Sequence, residues 1–216
     1  MAVIGERRRE LMEMTYRSYK EGLFAGTSGN LSIYDRETEN MLITPSSVSY
    51  ETMNEADMVL MKLDGEIIEG THKPSSEWRM HAVAYREKEE VCAVIHTHSP
   101  YATSFAVNGE GIPVILVEMV PFLGGDVRVA DFALPGTDAV GEAAMKALAE
   151  RNACLMANHG VLAVGHTLEQ AHIRAIYVED AAKIYSLAKS NGSVRVVADE
   201  IVQEMSGRGK KNTKEA

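Results

Sequence analysis

The spacing of apolar positions along this chain changes several times, and each change marks a structural element. Between residues 6 and 21, Leu11, Met14 and Tyr19 recur at helical intervals, and Gly22 follows as a stop. Short runs that read as strands come next, at 30–34, 41–44, 58–63 and 66–68, the last two flanking an Asp64-Gly65 hairpin turn. Pro74, Ser75 and Ser76 then open a helix over 77–86, with Trp78, Ala82 and Tyr85 on one face. Further strands are predicted at 91–97, 113–117, 127–130, 153–157 and 161–164. Helices are predicted at 101–107, 138–151 and 168–189, with a last one near 198–205. Several strands are separated only by turns, so the pattern favours a mixed or largely antiparallel sheet flanked by helices. The long Ala-rich helix has a mixed-charge face, equally suited to covering the sheet or meeting another subunit.

Composition narrows the function. With 216 residues the chain fits one large domain, which we assign to 1–206, leaving 207–216 as a loose, disordered tail. The apolar share of 45% and charged share of 25% are those of a globular protein. A net charge of −9 argues against nucleic acid as a partner, because phosphate neutralisation needs clustered Lys and Arg. The basic cluster from Arg208 to Lys211 is short and belongs to the tail, and Arg7 to Arg9 sit among Glu neighbours on a solvated helix face. No apolar run approaches a membrane span, and the N-terminus lacks a signal-peptide core. Cys92 and Cys154 both lie in apolar strand-like runs and read as buried reduced thiols, which points to the cytoplasm.

The strongest chemical signal is the run Val94-Ile95-His96-Thr97-His98-Ser99-Pro100. Side chains two apart on a strand share a face, so His96 and His98 can converge on one ion. Alone, the pair reads equally well as two polar residues finishing an exposed strand. Asn158-His159-Gly160 supplies a third imidazole after the strand at 153–157, with Gly160 allowing a sharp backbone turn beneath a crowded site. Three imidazoles plus a carboxylate or water would complete a tetrahedral catalytic zinc site, and Glu77 is the candidate carboxylate. It is also a residue that the helix dipole favours at a helix start. His72, His81, His166 and His172 are scattered over turns and helices and read as structural or exposed. Three hydroxyl-rich segments contain no acidic residue: Gly26 to Asn30, Thr44 to Ser47, and Ser75-Ser76. Backbone N–H groups and hydroxyls in such loops suit a phosphate.

Taken together these segments resemble the class II aldolase/adducin family, and within it the L-fuculose-1-phosphate aldolases. The matching elements are GTSGNLS at 26–32, LITPSS at 42–47, KPSSEWRMH at 73–81, VIHTHSPYAT at 94–103 and NHG at 158–160. The resemblance implies a single three-layer α/β/α domain around a mainly antiparallel sheet, commonly assembled as a homotetramer with active sites at subunit interfaces. It implies that His96, His98 and His159 bind zinc, with Glu77 as fourth ligand and as acid/base. It further implies that Gly29, Asn30, Ser46, Ser47, Ser75 and Ser76 surround the phosphate of a sugar substrate. The implied reaction cleaves a ketose 1-phosphate to dihydroxyacetone phosphate and a small aldehyde such as lactaldehyde. Lys73 is the one lysine in these motifs, and the metal set makes Schiff-base chemistry unnecessary. The chain departs from the family where the fuculose aldolases use tyrosines as proton donors. Its 112–118 segment offers Glu118 instead, and residues 198–216 contain no Tyr, so Glu118 becomes the candidate replacement. The same site would also serve an L-ribulose-5-phosphate 4-epimerase or a methylthioribulose-1-phosphate dehydratase. A non-enzymatic adducin-like module would keep the fold and lose the ligands, and retention of all four argues against it.

Overall fold

The computed structural model describes residues 2–207; most of the tail expected at 207–216 lies outside the described residues. Helix α1 (Ala2–Lys20) ends at Gly22, whose φ of +79° takes the left-handed turn. Strands β1 (Asn30–Asp35), β2 (Asn40–Ile43), β3 (Val59–Lys62) and β4 (Ile67–Glu69) form an antiparallel meander, and Asp64-Gly65 makes the last turn. Next come α2 (Trp78–Glu87), β5 (Ala93–Thr97), α3 (Pro100–Asn108), α4 (Met119–Leu123) and β6 (Arg128–Ala130). The chain closes with α5 (Asp138–Leu148), β7 (Ala153–Met156), β8 (Gly160–Gly165), α6 (Leu168–Asn191) and α7 (Asp199–Met205). The strands form one sheet in the order β4-β3-β2-β1-β5-β8-β7-β6. Every pairing is antiparallel except β6 with β7, which α5 joins as a crossover.

Strand alternation separates two cores. On β1, β5, β7 and β8, residues such as Leu31, Ile95, Leu155 and Val161 face the layer built by α1, α3, α4 and α6. Their neighbours Val94, Cys154 and Leu162 face the opposite layer, built by α2 and α5. The three-layer α/β/α architecture expected from the sequence is therefore the observed one. Parity also settles where the chemistry lies. His96 and His98 share the register of Val94 and project toward the side of α2, as do Asn30 and Ser32 on β1, where Asn30 pairs directly with His96.

One predicted strand is absent. Residues 113–117 do not enter the sheet; only Ile112 forms a single bridge, to Val127. Pro113 has no N–H to continue a ladder, the Val114 carbonyl accepts from Val197 N–H instead, and the segment turns into α4. Cys92 and Cys154 are both free; burial pushes the Cys154 thiol up to about 12, so it stays protonated. Among the described residues, no helix is long and apolar enough to cross a membrane.

A distant carboxylate anchors the end of β5. Ser99, the N-cap of α3, makes no side-chain capping bond. Glu179 on α6 takes that role, accepting from Tyr101 N–H at 3.0 Å and Ala102 N–H at 2.8 Å. Because these N–H groups follow His98 within four residues, the cap fixes the exit of the His-containing strand. Glu179→Ala should lower stability by about 1–2 kcal/mol, the usual worth of an N-terminal cap. Urea unfolding checks this: the midpoint should fall with the slope unchanged.

Candidate metal centre and active site

The histidines lie on adjacent strand ends and meet Glu77 at the start of α2. His96, fully buried, closes β5; His98 follows it, held by a bond from its own N–H to the Leu23 carbonyl at 3.1 Å. His159 sits in the turn between β7 and β8, where Asn158 adopts a φ of +56°. The three rings pack with centroids 4.7, 4.7 and 5.2 Å apart. One donor atom from each of Glu77, His96, His98 and His159 lies within 4.8 Å of all the others.

The donor chemistry of this cluster fits a divalent metal. His96 Nδ1 lies 2.8 Å from the Val161 carbonyl, which can only accept, so Nδ1 carries a proton and Nε2 is the nitrogen turned inward to the cluster. That Nε2 lies 2.8 Å from His98 Nε2 and 3.1 Å from Glu77 Oε2. Glu77 Oε1 lies 2.9 Å from His159 Nε2 without hydrogen-bond geometry, and it is buried with no hydrogen-bond partner. An orphaned buried carboxylate oxygen among imidazole nitrogens is costly in a protein interior and is satisfied by a cation. Burial alone would raise the Glu77 carboxyl, but the imidazoles of His96 and His159, 3.1 and 2.9 Å from its two oxygens, outweigh it. The group is held well below the usual carboxylate range. Burial, followed by the neighbouring His96 and His159, pushes His98 down to about 4, which keeps that ring neutral and available as a ligand.

The hydroxyl-rich loops gather beside this cluster. Ser46 N–H donates to the Lys73 carbonyl at 2.9 Å and Ser75 N–H to the Thr44 carbonyl at 3.0 Å, with a bridge between Pro45 and Pro74. These bonds zip the second and third loops together. Ser46 Oγ and Ser47 Oγ lie 3.3 Å apart, and Ser47 holds a φ of +61°. Ser75 is buried, with its Oγ accepting from Glu77 N–H at 3.3 Å, while Ser76 is exposed. Gly29 has a φ of +88°, and a Cβ there would overlap the Phe24 ring. The buried Tyr50 hydroxyl, its pKa raised chiefly by burial, donates to the Ser28 and Gly29 carbonyls at 2.9 and 2.7 Å. Tyr50 thus pins the first loop, and nothing in its sequence neighbourhood signalled that role.

One reading from the sequence changes. Gly160 does not need a left-handed φ, which falls on Asn158; it is required because a Cβ would overlap the Thr97 carbonyl oxygen. That Cβ would also lie 3.2 Å from both His96 Cε1 and His98 Cδ2. Gly160→Ala should therefore cost about 1–3 kcal/mol of stability through overpacking and weaken metal retention together. Thermal unfolding with metal titration checks both, and a variant with normal metal affinity would refute the crowding argument. His81, read as structural or exposed, is structural: it is fully buried on α2 and hydrogen-bonded to Asn30. His172 is likewise buried, against Ser18, while His72 pairs with Asp57. Glu118 is exposed at the N-cap of α4, with no side-chain capping bond, outside the four-residue cluster.

Comparison with known proteins agrees with this architecture. Residues 9–186 match the family described as class II aldolase and adducin N-terminal domain. The chain is 36% identical over 203 residues to a 5-deoxy-D-ribulose 1-phosphate aldolase of Bacillus thuringiensis serovar kurstaki, covering 94% of this chain and 95% of that one. It is 34% identical over 177 residues to an L-fuculose phosphate aldolase of Escherichia coli, covering 82% and 81% of the two chains. A solved L-fuculose 1-phosphate aldolase superposes with a TM-score of 0.89 at 39% identity, covering 94% of this chain and 95% of that one. The chain belongs to the class II aldolase and adducin family. Within it, the chain stands among the class II sugar-phosphate aldolases, which are carbon–carbon lyases.

Proposed function

We propose that this chain is a zinc-dependent aldolase that reversibly cleaves a ketose 1-phosphate to dihydroxyacetone phosphate and a small aldehyde. The observation that carries the reading is the convergence of three imidazoles on a buried carboxylate whose Oε1 has no hydrogen-bond partner. Three nitrogen donors and one carboxylate favour zinc over magnesium or calcium, which prefer all-oxygen sites. His96, His98, His159 and Glu77 would hold the ion, which would act as a Lewis acid toward the ketose carbonyl as negative charge develops there.

The chain's own residues supply the rest. Gly29, Asn30, Ser46, Ser47, Ser75 and Ser76 surround the substrate phosphate and fix its orientation through backbone N–H groups and hydroxyls. Cleavage breaks the bond between C3 and C4: the C4 hydroxyl loses its proton as C4 becomes the aldehyde carbon, and the bond pair passes to C3. Protonation of C3 then completes dihydroxyacetone phosphate. Glu77 moves the proton at C3, and Glu118 is assigned the C4 oxygen. Because Glu118 stands on an exposed turn outside the cluster, its role fits a site completed by a second copy of the chain. We accordingly assign a homotetramer, working in the cytoplasm, where two free thiols are at home.

The named substrates of the two relatives, 5-deoxy-D-ribulose 1-phosphate and L-fuculose phosphate, are both deoxyketose phosphates. They would release acetaldehyde and lactaldehyde respectively, and the first heads the test because that relative matches nearly the whole chain. Metal-loaded protein should be offered both sugars together with rhamnulose 1-phosphate and ribulose 5-phosphate, with triose phosphate and epimer scored separately. Triose phosphate from a deoxyketose 1-phosphate is the expected result; its absence across the panel sinks the reading. An epimer or a dehydrated product would redirect the same site to epimerase or dehydratase chemistry. Purified protein without metal would favour an adducin-like module.

A further inference from the structure

Behind Glu77 runs a buried line of side chains whose mutual hydrogen bonds neither the metal nor the phosphate accounts for. Asn30 Nδ2 lies 3.0 Å from Glu77 Oε2, and Asn30 Oδ1 lies 2.5 Å from His81 Nε2. His81 Nδ1 lies 2.6 Å from Ser32 Oγ, which lies 2.6 Å from the Tyr85 hydroxyl. Asn30 is 4% exposed, and Ser32, His81 and Tyr85 are at most 1% exposed, so water does not complete any of these bonds.

The direction of every bond in this line follows from its outer end. A carboxylate only accepts, so the Asn30 amide must turn an N–H toward Glu77 and its carbonyl toward His81. That carbonyl requires a donor, which makes His81 the Nε2–H tautomer. The Nδ1 lone pair then takes the Ser32 hydroxyl proton, and the Ser32 oxygen accepts from Tyr85. Burial, then the nearby His96, pushes His81 down to about 3, and burial raises the Tyr85 phenol, so both rings stay neutral near neutral pH. A buried link left unmade carries the full desolvation cost of its polar group, so a single wrong tautomer would not be absorbed elsewhere.

We propose that His81 is a positioning residue for Glu77: its Nε2–H fixes the Asn30 amide so that an N–H, not the carbonyl, faces the carboxylate. The inference rests on the proposed role of Glu77 as acid/base. Without the His81 donor, the Asn30 amide is free to turn over and set its carbonyl against a carboxylate oxygen, displacing the group that moves the proton at C3. The two serine loops and the three imidazole ligands do not depend on this bond.

The test uses the full-length metal-loaded protein, with His81→Leu, which removes the donor, and His81→Gln, which keeps one within reach of Asn30. His81→Leu should lower kcat by about 10- to 100-fold, as loss of a supporting hydrogen bond behind a metal ligand does, with KM unchanged and zinc still bound at saturating metal. His81→Gln should recover most of the lost kcat. In the wild type, imidazole ¹⁵N shifts should report His81 as a neutral Nε2–H ring between about pH 6 and 8. An Nδ1–H or protonated ring in an active wild type overturns the inference, and so does His81→Gln failing as completely as His81→Leu. Should His81→Leu not fold, the wild-type tautomer still decides. A wild type that cleaves no ketose phosphate overturns the aldolase reading, and with it the catalytic half of this one; the tautomer still tests the hydrogen-bond order independently.

Discussion

His96→Ala should lose bound metal and aldol activity together, with kcat/KM falling by at least about 10³-fold, since Lewis-acid stabilisation of developing charge is worth several kcal/mol. His96 is the centre of the cluster: fully buried, bonded through Nδ1 to Val161, and within 2.8 and 3.1 Å of His98 and Glu77. Removing it breaks the coordination set and leaves the Glu77 carboxylate with fewer partners in a dry site. The metal-free protein should also lose stability, because a cavity opens and the Glu77 carboxylate and the Val161 carbonyl each lose a buried partner. Metal content by elemental analysis, triose phosphate release and thermal unfolding with and without a chelator separate these effects. Wild-type protein treated with the chelator should match His96→Ala in activity and recover on adding zinc, whereas the variant should not. Full activity in a zinc-free variant would end the metal-dependent reading.

How far the sequence reached is visible in β1. The alternation Asn30, Leu31, Ser32, Ile33, Tyr34 correctly marked a strand with one apolar face. It does not show that the polar face is buried, because Asn30 and Ser32 are satisfied by His81 and Tyr85 on α2, an element some fifty positions later. Partners so distant leave no periodic signature, so His81 looked like one more scattered histidine. The members of the Glu/His cluster were legible for the opposite reason: the His96/His98 spacing is a local strand signal, and Glu77 and His159 stand beside turn and helix-start residues that the chain displays openly. The hydroxyl loops were legible as segments, while their zipping through Thr44, Ser46, Lys73 and Ser75 was not. The strand expected at 113–117 failed because apolar β-branched composition outweighed the missing N–H of Pro113 in the reading. In the fold, the backbone pairing decides.

Glu77→Gln should lower cleavage by about 10²- to 10⁴-fold while zinc remains bound at saturating metal, because the amide keeps the shape and one oxygen donor but cannot exchange a proton at C3. The wild-type carboxyl is set up for that exchange. Asn30 donates to Oε2, while His96 and His159 hold the group ionised despite its burial. Exchange of the dihydroxyacetone phosphate hydroxymethyl protons with solvent deuterium reads the C3 step without requiring an aldehyde. Glu77→Gln should slow exchange and cleavage by similar factors. Glu118→Gln, acting at the C4 oxygen, should slow cleavage and leave exchange near the wild-type rate. Wild-type exchange in zinc-loaded Glu77→Gln would remove Glu77 from the proton transfer and leave it as a ligand only. Slowed exchange in Glu118→Gln would move that residue from the aldehyde side to the enediolate side. The two carboxylates therefore have separable kinetic signatures, and one pair of variants assigns both halves of the proton transfer.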